Sequence, residues 1–158
     1  MPERTAYVDA LHLLGRRELS VKQLRERLLD REHPREDVER AIELLAENRA
    51  VDDARVAAAY ARTALKVKGR GRLRVQRELH EMGIDKDVVS QALAEAFGDA
   101  DERSMIANAL QKKLRGKKKI DTPAEYARVY QFLMRQGFSP GAVSAALRAH
   151  RKGVDPLE

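Results

Sequence analysis

One apolar signature occurs three times along this chain, and it decides most of what the chain can fold into. Leu24, Leu28, Val38 and Ile42 are followed by Val75, Leu79, Val89 and Leu93, then by Val129, Leu133, Val143 and Leu147. Each set is spaced four, ten and four, and the sets are offset by 51 and 54 residues. Apolar residues four apart share one face of an α-helix. Each set therefore reads as two amphipathic helices joined by a short turn. Ala41, Ala92 and Ala146 coincide as well. Gly83 matches Gly137 where the first set has Glu32, and Ile84 matches Phe138 where the first set has His33.

A further helix precedes each pair. The first runs from about Thr5 to Leu14, with Ala6, Leu11 and Leu14 among its apolar positions, and Gly15, Arg16 and Arg17 break it. Ser20 and Gln23 form a capping box for the second helix. Pro34 suits the first turn of the third, which buries Val38, Ile42 and Leu45. Asp52 and Asp53 open a helix at the positive end of its dipole. That helix carries Ala57, Tyr60, Ala61 and Ala64 and stops at Gly69 and Gly71. Arg72 to Met82 is the next, with Gly83 as its C-terminal cap. Asp85 caps the helix of Val89, Leu93 and Phe97. Ile106, Leu110 and Leu114 stripe a helix that begins near Asp101 and ends at Gly116. Thr122, Pro123 and Glu125 stand at N-cap, N1 and N3 of another. It carries Tyr126, Val129, Tyr130 and Leu133 and closes at Gly137. Ser139 and Pro140 open the last. The expected fold is all-α. It has three tandem three-helix repeats at 1–51, 52–98 and 99–152, with a tail at 153–158. Stacked repeats bury a shared seam, which predicts an elongated, curved molecule.

Composition fits that reading. Hydrophobic residues make up 43% of the 158, but only 4% are aromatic, so Leu, Val and Ala must supply the burial. Charged residues make up 35%, which suits thin layers of solvated helix. Cysteine is absent, which excludes disulfides and thiolate sites. The longest apolar run, Val56 to Ala61, falls far short of a membrane span, and the N-terminal sequence has no signal-peptide pattern. A monomeric, soluble cytoplasmic protein is expected.

The net charge is +6, and its distribution is uneven. Lys66, Lys68, Arg70, Arg72, Arg74 and Arg77 follow one another without an acid. Lys112, Lys113, Arg115, Lys117, Lys118 and Lys119 do the same. Both runs lie between the first and second helices of a repeat. Arg16 and Arg17 hold the equivalent place in repeat one, beside Glu18. A repeat architecture sets equivalent connections on one edge. These cations are therefore expected to form a basic stripe for a polyanion or an acidic protein face. Tyr60, Tyr126 and Tyr130 fall on apolar stripes and read as core rather than as stacking platforms for bases.

No pattern of catalytic or metal-ligating residues emerges, and no cofactor is expected. His12, His33, His80 and His150 are scattered, without metal-ligand spacing, and read as satisfied surface histidines. Gly69-Arg70-Gly71 follows a helix rather than a strand, so it is no nucleotide loop. Gly116-Lys117 lacks the remainder of a P-loop. Asp52 and Asp53 are explained as helix caps.

Four segments carry a family resemblance. They are LLGRRELSVKQLRERL, VDDARVAAAYA, KGRGRLRVQRELHEMGI and FLMRQGFSPGAVSAAL. With three tandem repeats, they resemble the RecX family, regulators of the RecA recombinase, over about Ala6 to Ala149. Val56 stands where the family often has an aromatic, and Glu32 replaces a glycine. The resemblance implies a non-enzymatic protein of DNA repair, homologous recombination and SOS regulation. It would bind RecA filaments on DNA in their helical groove and restrain ATPase, strand exchange and co-protease activity. The basic residues named above would contact RecA or, non-specifically, DNA. A helical protein that binds DNA without RecA, and a scaffold for an acidic peptide, are the alternatives.

Overall fold

Helix ends in this chain are set by side chains and turns that satisfy the orphaned amides and carbonyls. The computed structural model describes residues 4–117 and 119–150. Among them are nine α-helices and no extended strand. These are α1 (Ala6–Arg16), α2 (Val21–Asp30), α3 (Arg35–Glu47), α4 (Asp53–Lys66), α5 (Arg72–Glu81), α6 (Lys86–Phe97), α7 (Glu102–Leu114), α8 (Pro123–Gln136) and α9 (Pro140–Arg148). The capping box of Ser20 and Gln23 is complete. Thr122 accepts from the Glu125 amide at 3.1 Å. Asp52 accepts from the Ala54 and Arg55 amides at the start of α4. Gly83 and Gly137 take the left-handed conformation after α5 and α8.

Three expectations need correction. Gly15 and Arg16 do not break the first helix. They lie inside α1, and Arg17 is its cap. One glycine costs a helix about 1 kcal/mol relative to alanine, and Leu13 and Leu14 beside it are held by the core. Pro34 is the N-cap of α3 rather than part of its first turn. His33 is no surface histidine. Its Nε2 lies 2.7 Å from Oδ2 of Asp9, a carboxylate only 7% exposed.

The described residues form two compact units. One contains the residues up to Tyr60 together with Glu78–Ala92, and the other contains Ala61–Arg77 and the residues from Leu93 on. Each thus holds one outer repeat and part of the middle one. In the first unit, α1, α2 and α3 bury Leu13, Leu24, Leu28, Val38, Ile42 and Leu45. Arg25 grips Glu39 across α2 and α3 with two hydrogen bonds of 2.6 and 3.2 Å. Arg31 Nη1 donates a further hydrogen bond to Asp9 Oδ1 at 3.1 Å. In the second unit, α7, α8 and α9 bury Ile106, Leu110, Val129, Leu133, Phe138, Val143 and Leu147, with Tyr126 and Tyr130 packed at the edge. The signature residues of the middle repeat, Val75, Leu79, Val89 and Leu93, are buried too.

Adjacent repeats join through the ends of their second helices, and the joint is built once in each unit. In the first, Ser20 Oγ donates to the Met82 carbonyl at 2.5 Å. In the second, the Gly71 amide donates to the Gln136 carbonyl at 2.7 Å, and the Leu73 amide to that of Gly137 at 3.1 Å. In both, the N-terminal turn of one second helix covers carbonyls that the next second helix cannot satisfy itself. Asp53 adds a bond of 2.8 Å to the Val21 amide. Burial pushes the Asp53 carboxyl up from its ordinary value, with the Val21 hydrogen bond opposing it.

Candidate functional site

Cations gather at the same place in each repeat for a local reason. The last turn of an α-helix presents unpaired carbonyls and the negative end of the dipole. Arg16 ends α1, Lys66 ends α4, and Lys112 and Lys113 fall in the last turn of α7. The chain then turns away with further cations in the connection.

The α4–α5 connection is held by its backbone. The Val67 and Lys68 amides return to the Thr63 carbonyl, and the Arg70 amide to that of Ala64. Gly69, at φ 63°, allows the turn. Gly71 sits so close to α8 that a Cβ there would lie 2.5 Å from the Gly137 carbonyl atoms. Arg74 Nη1 donates to Gln136 Oε1 at 3.0 Å. Arg70, Arg74 and Arg77 all have interactions within the chain. Lys66, Lys68 and Arg72 are exposed and make no ion pair among the described residues. Val67, between two of them, is 77% exposed, and Leu73 beside Arg72 is exposed as well.

The α7–α8 connection differs. Arg115 caps α7 in the left-handed conformation, and Gly116 follows at φ 83°. Lys113 Nζ lies 4.9 Å from the centre of the Phe132 ring, within cation–π range. Lys117 is engaged twice, by Asp121 at 2.8 Å and by both oxygens of Glu125 at 3.0 Å. The Asp121 and Glu125 hydrogen bonds raise the Lys117 pKa, and the Lys117 ammonium lowers that of Glu125. Lys112, Arg115 and Lys119 are exposed, without an ion pair among the described residues. Lys118 lies outside the described residues.

Within the second unit the two connections meet α8 at opposite ends, one at Glu125 and the other at Gln136. The helix between them is roughly 16 Å long at 1.5 Å per residue. Arg16 and Arg17 belong to the first unit. Both are exposed, and Glu18 beside them is drawn to Arg55 at 2.6 Å. The pairing of Lys117 escaped the sequence reading because its acids lie just beyond the acid-free run.

Other chemistry is sparse. Among the described residues no group of three His, Cys, Asp or Glu side chains is placed to hold a metal ion. None of their helices is long and apolar enough to cross a membrane.

Family models match the chain in three consecutive pieces. They are described as the first, second and third three-helix domains of RecX and cover residues 6–45, 52–93 and 101–147. The regulatory protein RecX of Vibrio parahaemolyticus is 33% identical over 146 residues, which covers 92% of this chain and 92% of the relative. This chain belongs to the RecX family. A longer RecX, from Geobacillus kaustophilus, is 32% identical over 145 residues. That match takes in 91% of this chain but 53% of the relative, so the chain spans about half its length. The crystal structure of RecX from Lactobacillus salivarius has the same fold, with a TM-score of 0.71 at 19% identity, over 90% of this chain and 92% of that one. A second RecX crystal structure gives 0.73 at 21% identity, over 89% of this chain and 69% of that one. The Vibrio and Geobacillus relatives are named as regulatory proteins.

Proposed function

We propose that this chain binds RecA recombinase filaments assembled on DNA and restrains their ATPase, strand-exchange and co-protease activities, as a monomeric cytoplasmic regulator of recombination, repair and the SOS response. Membership of the RecX family carries the reading. The exposed cations of the two connections support it. Lys66, Lys68, Arg72, Lys112, Arg115 and Lys119 keep their charge available for phosphate or for acidic protein surface.

The mechanism is occupancy. A helical array seated in the filament groove denies that space to a second DNA or to a repressor awaiting cleavage. No covalent step is required of the chain. Phosphate contacts would make binding salt-dependent and indifferent to base sequence.

The test is ATP hydrolysis by RecA on single-stranded DNA while this protein is titrated in. Turnover falls near one protein per groove site if the groove is coated, and at far lower ratios if filament ends are capped. Undiminished turnover at every ratio would sink the proposal. Salt titration of DNA binding with and without RecA separates a filament ligand from a protein that acts on DNA alone.

A further inference from the structure

The joint between repeats has a donor side and an acceptor side, and the acceptor side contains a glycine both times. Gly83 follows α5 at φ 79°, and a Cβ there would lie 2.5 Å from Lys22 Cβ. Gly137 follows α8 at φ 101°, and a Cβ there would lie 2.5 Å from the Arg74 nitrogen and 2.9 Å from its Cα. Lys22 and Arg74 belong to the first turns of α2 and α5, the helices that dock. An added carbon at either glycine would meet atoms close to the docking backbone, which cannot swing aside as the tip of a side chain can.

A third end of the same form exists. After α2 the chain turns through Glu32 at φ 66°, the left-handed conformation taken by both glycines. Only glycine adopts it without steric cost, so the residue here is not the one the turn favours. Glu32 is exposed, and no docked helix covers it among the described residues. The residue after it differs as well. Ile84 and Phe138 are buried apolar residues at the two joints, while His33 binds Asp9.

We propose that Glu32 is an end stop. Its Cβ and carboxylate occupy the space that the first turn of a docking helix needs, so the α2 end cannot accept a further repeat, whether joined in sequence or brought by a second copy. The opposite side of the joint is open. Thr122, Pro123 and Ala124 at the start of α8 are exposed, where Ser20 and Gly71 are buried. A molecule with one open donor end and one open acceptor end makes heterologous contacts, which grow into rings or open fibres. Closing the acceptor end prevents that growth.

The test extends the full chain at its N-terminus with a second copy of residues 5–51, whose own Ser20 and Lys22 supply a docking turn. One version keeps Glu32 in the original chain as the acceptor, one carries Glu32→Gly there, and one carries Glu32→Asn. Limited proteolysis and hydrogen exchange then follow the added copy. With Glu32→Gly the added copy should be cut at least tenfold more slowly than with Glu32. Glu32→Asn, which tolerates the turn but retains a Cβ, should behave like Glu32. Equal protection in the Glu32 and Gly versions would overturn the proposal, because the side chain would then be no barrier. Absence of protection in both would overturn it too, and so would protection in the Asn version.

Discussion

His33 Nε2 holds Asp9 Oδ2 at 2.7 Å, which ties α1 to the turn between α2 and α3. The His33 hydrogen bond is the main reason the Asp9 carboxyl is held below its ordinary value; burial pushes the other way, and Arg31 helps to lower it. A carboxyl whose folded pKa lies below its unfolded value, about 3.9, stabilises the fold above that value. The stabilisation is lost as pH falls through the folded pKa. The wild type should therefore lose more stability between pH 6 and pH 3 than Asp9→Asn does. At neutral pH, Asp9→Asn should cost about 1–3 kcal/mol. Thermal melts at the two pH values check both statements.

Gly137→Ala should be among the most damaging single-carbon changes in this chain. The added methyl would meet the Arg74 backbone, and the residue would sit at φ 101°. Overpacking of this kind costs about 1–3 kcal/mol, before the backbone strain is added. Gly141→Ala is the matched control, since nothing lies within 4 Å of a Cβ there and the residue is inside α9. It should be neutral or stabilising by up to about 1 kcal/mol. Urea denaturation of the two variants gives the comparison.

Ser20→Ala removes two bonds at once, the cap on the Gln23 amide and the donor to Met82. Ser20 is fully buried, so water cannot replace either. A loss of about 2 kcal/mol is expected. Thr5→Ala, which removes an exposed cap on the Val8 amide, should cost less than half as much. Near-equal losses would show that the Met82 bond contributes nothing.

The two basic connections should respond differently to neutralisation. Replacing Lys66, Lys68 and Arg72 with Gln should weaken binding to DNA or to RecA–DNA filaments with helicity unchanged. If each meets a phosphate, the slope of log affinity against log salt should shrink by about 0.7–0.9 for every cation replaced. Lys117→Gln should leave that slope unchanged, because its ammonium is already shared between Asp121 and Glu125. Filter binding across a salt series distinguishes the two.

The parts of the fold that were legible in the sequence are those fixed by near neighbours. Four-residue spacing placed the buried faces of α2, α5 and α8, and the Ser20–Gln23 and Thr122–Glu125 pairs placed two helix starts, because both effects act within a turn or two. What stayed hidden depends on residues brought close by folding. Nothing around His33 announces Asp9, and Met82 carries no sign that Ser20 will reach its carbonyl. The basic runs were visible as composition, but which of their charges are occupied was not. Glu125 approaches Lys117 across a turn that periodicity does not describe, and Glu18 turns to Arg55 rather than to the arginines beside it.

The Gly71–Gln136 and Ser20–Met82 bonds each cross from one repeat into the next, so the borders between repeats are poor places to cut. Truncation after residue 51 would leave the Ser20 hydroxyl without its acceptor, and truncation after residue 98 would leave the Gly71 and Leu73 amides without theirs. Tandem gene duplication has the opposite property. Copying one segment of some fifty residues delivers a new helix start and a new glycine-marked helix end together, so an ancestral array could lengthen by whole steps without inventing any contact.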